Sequence, residues 1–209
     1  VGDFQVELTA PAQNSTTLLA SGASFTITAA NTGGNASYDL KSNGVTINTN
    51  AATASYSYTH TGITSNQNYE LVVTQGDNEV TKTFTVIVAP ETITAEMPAG
   101  LVDGINYDPE DATKTTLVLD APGKDFVYVA GSFNNWQPVA EDAMKVDAAT
   151  GKFFLEITGL TSGDIHTYQY WVIDETPLAN SPAIVKTADP YSTLVLSPFD
   201  DPGISAATY

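Results

Sequence analysis

Val127-Tyr128-Val129-Ala130-Gly131-Ser132-Phe133-Asn134-Asn135-Trp136 is an alternating strand, a small-residue break and a polar turn that ends on a tryptophan. Val127, Val129 and Gly131 share one face and Tyr128 and Ala130 the other, the period-two signal of a β-strand. Gly131 and Ser132 read as the point where the backbone turns sharply, and Asn134-Asn135 is a pair that tolerates left-handed conformations. A large aromatic on a polar turn adds little stability unless something packs on it. Trp136 is therefore the first candidate for function.

The same period recurs on both sides of this stretch. Toward the N-terminus, Phe4, Val6 and Leu8 alternate with polar residues up to Ala10-Pro11, and Phe25 and Ile27 mark a second strand. Tyr38 and Leu40, Val45 and Ile47, Tyr56 and Tyr58, then Tyr69, Leu71 and Val73 continue the series, and the segment 80–88 returns after the turn Gly76-Asp77-Asn78. Seven or so short strands without a convincing helix predict a β-sandwich over residues 1–90. A second one is predicted over 91–209, with strands at 104–107, 115–120, 127–131, 153–157, 168–173 and 192–196. The fold class is thus all-β, two tandem immunoglobulin-like β-sandwiches.

An internal echo supports the pairing. Thr61-Gly62-Ile63-Thr64-Ser65 precedes the strand containing Tyr69, and Thr158-Gly159-Leu160-Thr161-Ser162 precedes the strand opening at Tyr168. Both fit the corner of an immunoglobulin-like sandwich, where a tyrosine early in a late strand anchors the preceding loop. The linker near Ala89-Pro90-Glu91 is short, which argues against free tumbling.

Composition narrows the partners. Twenty-four acidic residues against seven basic ones give a net charge of −17, so nucleic acid is excluded as a natural partner and anionic surfaces are disfavoured. A neutral ligand is compatible with that charge. The absence of cysteine removes disulfides, thiolate metal sites and thiol catalysis together. No apolar run approaches a membrane span, Val1-Gly2-Asp3 is not a signal peptide, and the Asn/Thr/Ser-rich, lysine-poor surface reads as exported.

No catalytic signature stands out. His60 and His166 are each alone, with no second ligand type at metal spacing, and read as structural histidines. Asp108, Glu110 and Asp111 crowd one loop that could hold calcium through oxygens, but an acidic turn is the simpler account. No Gly-x-Ser-x-Gly elbow, phosphate loop or dinucleotide fingerprint is present, and no carboxylate pair is singled out for glycosidase chemistry. The chain is read as non-catalytic, with no metal and no cofactor.

The decamer at 127–136, then Tyr168-Gln169-Tyr170-Trp171-Val172, then Ala188-Asp189-Pro190-Tyr191 together resemble a glycogen- and starch-binding-type module, the early-set sandwich that precedes the barrel in α-amylase-family enzymes. The similarity runs from about Ile93 to Leu196. Asp103-Gly104-Ile105-Asn106-Tyr107 and Ala188-Asp189-Pro190-Tyr191-Ser192-Thr193-Leu194-Val195-Leu196 look like the N-terminal region of exported α-amylases of the Bacteroidetes group, in which another Ig-like domain lies in front. A barrel needs roughly 250 residues, so the resemblance implies the front part of a larger hydrolase.

What the resemblance implies for the site is uneven. The family's first platform tryptophan matches Trp136, with Asn135 beside it, and its late-strand lysine falls at Gln169. Its second tryptophan is missing, because Pro177-Leu178-Ala179-Asn180 stands there. Trp171 shares a face with Gln169 and is the candidate substitute platform. The expected ligand is an α-1,4-glucan such as starch or glycogen, and the expected partner is the enzyme's own barrel. Two alternatives stand beside this: that Trp136 and Trp171 pack against the barrel or the first domain, and that the chain is a free-standing surface glycan-binding or adhesion protein.

Overall fold

The computed structural model describes residues 3–196, and the chain divides into two compact units, Val1–Ala89 and Pro90–Tyr209. It is all-β, two tandem immunoglobulin-like β-sandwiches. Among the described residues no helix is long and apolar enough to cross a membrane.

In the first unit β1 (Val6–Ala10), β3 (Ala23–Asn31) and β6 (Ser55–Ile63) form one sheet in the order β1-β3-β6. The other sheet has the order β2-β8-β7-β4-β5, from β2 (Thr16–Leu19), β4 (Ala36–Ser42), β5 (Val45–Thr53), β7 (Gln67–Gln75) and β8 (Asn78–Val88). Alternation decides which residues go inside: Tyr38 and Leu40 of β4, Leu71 and Val73 of β7 and Ile27 of β3 are fully buried in one core. Aromatic rings bridge the two sheets, with Tyr38 stacked on Tyr56 at 5.0 Å between centroids and 5° between planes. Their hydroxyls are satisfied locally, Tyr38 on Asn31 Oδ1 at 2.7 Å and Tyr56 on Asn48 Oδ1 at 2.9 Å. Burial pushes the Tyr56 phenol well above its usual range.

The second unit repeats the plan with different strands. One sheet runs β10-β11-β14-β13-β9, built from β9 (Thr94–Ala95), β10 (Gly104–Tyr107), β11 (Thr115–Leu119), β13 (Lys145–Asp147) and β14 (Phe153–Ile157). The other runs β12-β15-β16, from β12 (Phe126–Gly131), β15 (Tyr168–Ile173) and β16 (Ile184–Thr187). Val127, Val129 and Tyr170 pack across the core on Leu117, Phe153 and Leu155. Each such side chain taken fully out of water contributes on the order of 1.5–3 kcal/mol. The opposite face of β12 is buried too, with Tyr128 2% and Ala130 0% exposed, so the whole strand is interior.

Four strands escaped the pattern, one of them the two-residue β9. β2 carries Thr16-Thr17-Leu18-Leu19 without alternation and pairs parallel with β8 at the sheet edge. β13 is only three residues long, and β16 pairs antiparallel with β15. The strand expected over Ser192–Leu196 is not one. The backbone there is turned by Asp189, whose carbonyl accepts the Ser192 N–H at 3.0 Å and whose Oδ1 accepts the Tyr191 N–H at 2.8 Å.

The tyrosine echo also resolves differently in its two copies. Tyr69 reaches upstream, its hydroxyl bonding the His60 ring at Nδ1 over 2.7 Å, to a side chain on β6 rather than to loop backbone. Tyr168 reaches downstream instead, donating to Asp189 Oδ2 at 2.6 Å. The loop before it is therefore not what Tyr168 anchors.

Candidate functional site

The turn after β12 is held by its own side chains. Asn134 accepts the Gly131 N–H on Oδ1 at 2.9 Å and donates Nδ2 to the Val129 carbonyl at 2.9 Å. Gly131 is extended, with φ −164°, so it does not make the turn by flexibility. A Cβ on it would lie 2.6 Å from the Thr167 carbonyl oxygen and 2.6 Å from Phe133 Cε1, so glycine is required for space. The reversal falls instead on Asn135 and Trp136, both left-handed at φ 53° and 59°. Asparagine tolerates that region, whereas a bulky residue there is an outlier costing roughly 1–2 kcal/mol. The Trp136 N–H closes the turn onto the Gly131 carbonyl at 2.9 Å. Its ring is partly exposed, with no aromatic neighbour and no acceptor for the indole N–H among the described residues.

Trp136 lines a cavity of about 290 Å³. The cavity lies where β12 and β10 end and β15 begins, and the segment 192–196 forms part of its wall. Tyr107, His166, Gln169 and Lys186 also line it. Its apolar rim is strongly exposed, Ile165 at 88% and Leu194 at 72%.

One wall is rigid because of a buried carboxylate. Asp189, 3% exposed, accepts both Tyr168 Oη at 2.6 Å and Tyr170 Oη at 3.1 Å on the same oxygen. Burial pushes both phenols far above their usual range; Asp189 adds to it at Tyr168, and Tyr168 and then Asp189 add to it at Tyr170. The next residues lock the strap down: a Cβ on Gly104 would lie 2.8 Å from Tyr191 Cβ, so only glycine, here at φ +93°, leaves room for that side chain. Tyr191 Oη donates to Asp103 Oδ2 at 3.2 Å, and Lys152 Nζ donates to Asp103 Oδ1 at 2.6 Å. The Lys152 hydrogen bond holds the Asp103 carboxyl below the ordinary carboxylate range. The segments 103–107 and 188–196, far apart in sequence, are thus one clasp beside the cavity.

Of the four residues singled out from sequence, the cavity brings together Trp136 and Gln169. Asn135 is exposed and lies outside its lining. Trp171 is corrected: at 4% exposure it is not a surface platform. Register explains why, since it lies between Tyr128 of β12 and Lys186 of β16, and the Lys186 ammonium sits 4.1 Å from its ring centroid. Its indole N–H donates to Gln169 Oε1 at 2.8 Å, so it fixes Gln169 in place. Burial lowers the Lys186 pKa.

Sequence reasoning read His166 as structural and gave Tyr107 and Lys186 no role in a site. Period two puts Tyr107 on the face of Ile105, which packs on the core, so the direction of its side chain was available. Lys186 carried no signal, because β16 was not recognised. His166 Nδ1 lies 3.4 Å from Ser132 Oγ, while its buried Nε2 has no partner among the described residues. The acidic loop is an ordinary capped turn, with Asp108 Oδ1 accepting the N–H groups of Glu110 and Asp111.

No protein-family model matches the sequence, and neither does any curated protein. Among solved structures the chain is similar to fibronectin(III)-like modules of Clostridium thermocellum CbhA, at 20% identity over 40% of this chain and 95% of that one, TM-score 0.33. It is similar also to a chimeric titin Z1Z2 tandem, at 10% identity over 81% of this chain and 92% of that one, TM-score 0.36. A third is the Group B Streptococcus pullulanase SAP, at 16% identity over 90% of this chain, TM-score 0.33; the chain spans 24% of that protein. These likenesses are remote, and the fold rests on the strand order and register above.

Proposed function

We propose that the second unit is a non-catalytic carbohydrate-associated module of an exported α-glucan-degrading hydrolase, binding an α-1,4-glucan at the Trp136 cavity. The observation that carries this reading is Trp136 itself: a tryptophan in a left-handed backbone, partly exposed, on the wall of a cavity whose floor includes Gln169. A flat apolar ring covers the C–H face of a sugar while neighbouring amides take its hydroxyls. The cavity is near the lower end of the size of small-molecule sites, about 300 Å³, which suits a short stretch of glucan. The sequence resemblance supplies the α-glucan and the hydrolase parent, and the first unit is read as a spacer.

Titration with maltoheptaose tests it. Tryptophan fluorescence changes on titration, and Trp136→Ala abolishes that change. No response at millimolar sugar removes the binding role and leaves positioning of a neighbouring domain, a second reading that the exposed Ile165 and Leu194 favour.

A further inference from the structure

We infer that Tyr107 is the second aromatic platform of the cavity, replacing from the opposite sheet the tryptophan that is missing after β15. This rests on reading the cavity as a carbohydrate site.

Tyr107 ends β10, the edge strand of its sheet, and is 79% exposed. An aromatic ring left in water on an edge strand adds nothing to the core and invites association with other chains. Among the described residues its hydroxyl has no hydrogen-bond partner and its ring no aromatic neighbour. It nevertheless lines the cavity that Trp136 lines. The two rings arrive from different sheets, Tyr107 from β10 and Trp136 from the turn after β12. One ring covers one face of one sugar, whereas two rings bordering a single cavity hold consecutive sugars of a chain. The ligand class is therefore an oligosaccharide rather than a monosaccharide. Gln169, immobilised by Trp171, supplies a fixed polar group in the same cavity.

The experiment uses the whole chain, with maltose and maltoheptaose as probes and binding followed by calorimetry. Tyr107→Ala weakens maltoheptaose binding roughly five- to tenfold, the scale of one aromatic contact, and leaves the melting temperature unchanged. Tyr107→Phe binds within about twofold of the unaltered chain, because the ring and not the hydroxyl is used. Maltoheptaose binds more tightly than maltose to the unaltered chain, and this preference shrinks in Tyr107→Ala. Equal binding by Tyr107→Ala and the unaltered chain, with Trp136→Ala inactive, overturns the inference and spares the reading of the cavity. No binding of either sugar to the unaltered chain overturns both. Should Tyr107→Ala lower the melting temperature, ring resonances of Tyr107 followed by NMR during titration of the unaltered chain decide; unshifted resonances at saturation overturn the inference.

Discussion

Each unit contains a pair of consecutive left-handed residues that opens on asparagine, and the two pairs differ in what fills the second position. In the first unit the pair is Asn43-Gly44, at φ 49° and 78°, which joins β4 to β5 as a two-residue hairpin. Asparagine followed by glycine is what that geometry asks for, and the Asn43 side chain also ties the turn to Asn68, whose N–H it accepts at 2.8 Å. In the second unit the pair is Asn135-Trp136, at φ 53° and 59°. The asparagine is kept and the glycine is replaced by the residue least suited to the position. Strain of this kind persists where the surroundings over-determine it, and it clusters at binding sites.

The buried tyrosines draw the same contrast. Tyr69 is 1% exposed, stacked on Phe84 at 5.0 Å and bonded to His60, so it serves a closed core. Tyr168 and Tyr170 share the carboxylate of Asp189, a charge kept in the wall of a cavity. The two anchors can be broken separately, because both tryptophans, Trp136 and Trp171, lie in the second unit and fluorescence reports on that unit alone. Asp189→Ala leaves two phenols without an acceptor and frees the Tyr191 N–H, at an expected cost of about 3–4 kcal/mol. His60→Ala removes one partner of a single hydroxyl, which keeps Ser42 beside it, and costs about 1–2 kcal/mol. Denaturant unfolding checks this by fluorescence for Asp189→Ala and by circular dichroism for His60→Ala. Equal losses would mean that Asp189 is no more than another tyrosine partner.

Strand faces were legible from period two, and the positions of Val127 and Val129 in the core follow from it directly. What period two does not carry is whether a strand's second face is also covered, and that is why Trp171 read as a surface platform. Gly131 was legible as an unusual position for the wrong physical reason: the need is space against Thr167, a residue brought there only by the β12–β15 pairing. Trp136 and Gln169 came from a motif, whereas Tyr107 and Lys186 reach the cavity from strands on either side of it, through tertiary pairing that no local pattern encodes. The segment after Asp189 was misread as a strand because its apolar residues Leu194, Val195 and Leu196 were counted without the turn that Asp189 imposes.

Alkali sharpens the comparison more gently. Burial raises the phenol pKa of Tyr56 and Tyr69 in the first unit and of Tyr168 and Tyr170 in the second, above the ordinary value of about 10. A group whose folded pKa is raised contributes stability fully below its unfolded pKa and loses it as pH rises. Stability of both units is therefore insensitive to these groups up to about pH 10 and falls above it. Absorbance at the tyrosinate band should grow only as each unit unfolds for these four rings. Tyrosinate appearing in Asp189-linked rings before the fluorescence change would show that the cavity wall opens to solvent while the second unit stays folded.

The smallest expected effect is the most direct test of the left-handed pairs. Trp136→Gly converts Asn135-Trp136 into the Asn-Gly arrangement that the first unit already uses at Asn43-Gly44. It removes a strain of roughly 1–2 kcal/mol and forfeits the partial burial of the ring, so the net change in stability should stay within about 1 kcal/mol. Trp136→Ala forfeits the same ring but keeps a Cβ in the left-handed region, and should be less stable than Trp136→Gly by about 1 kcal/mol. Both should fail to bind maltoheptaose. The order of the two midpoints in denaturant therefore reads the backbone, and their common loss of binding reads the ring. If alanine and glycine were equally stable, residue 136 would not be held left-handed in solution, and the contrast between the two turns would lose its energetic basis. If glycine were much less stable than the unaltered chain, the ring would be a packing element, and Trp136 would belong with Tyr69 rather than with a ligand.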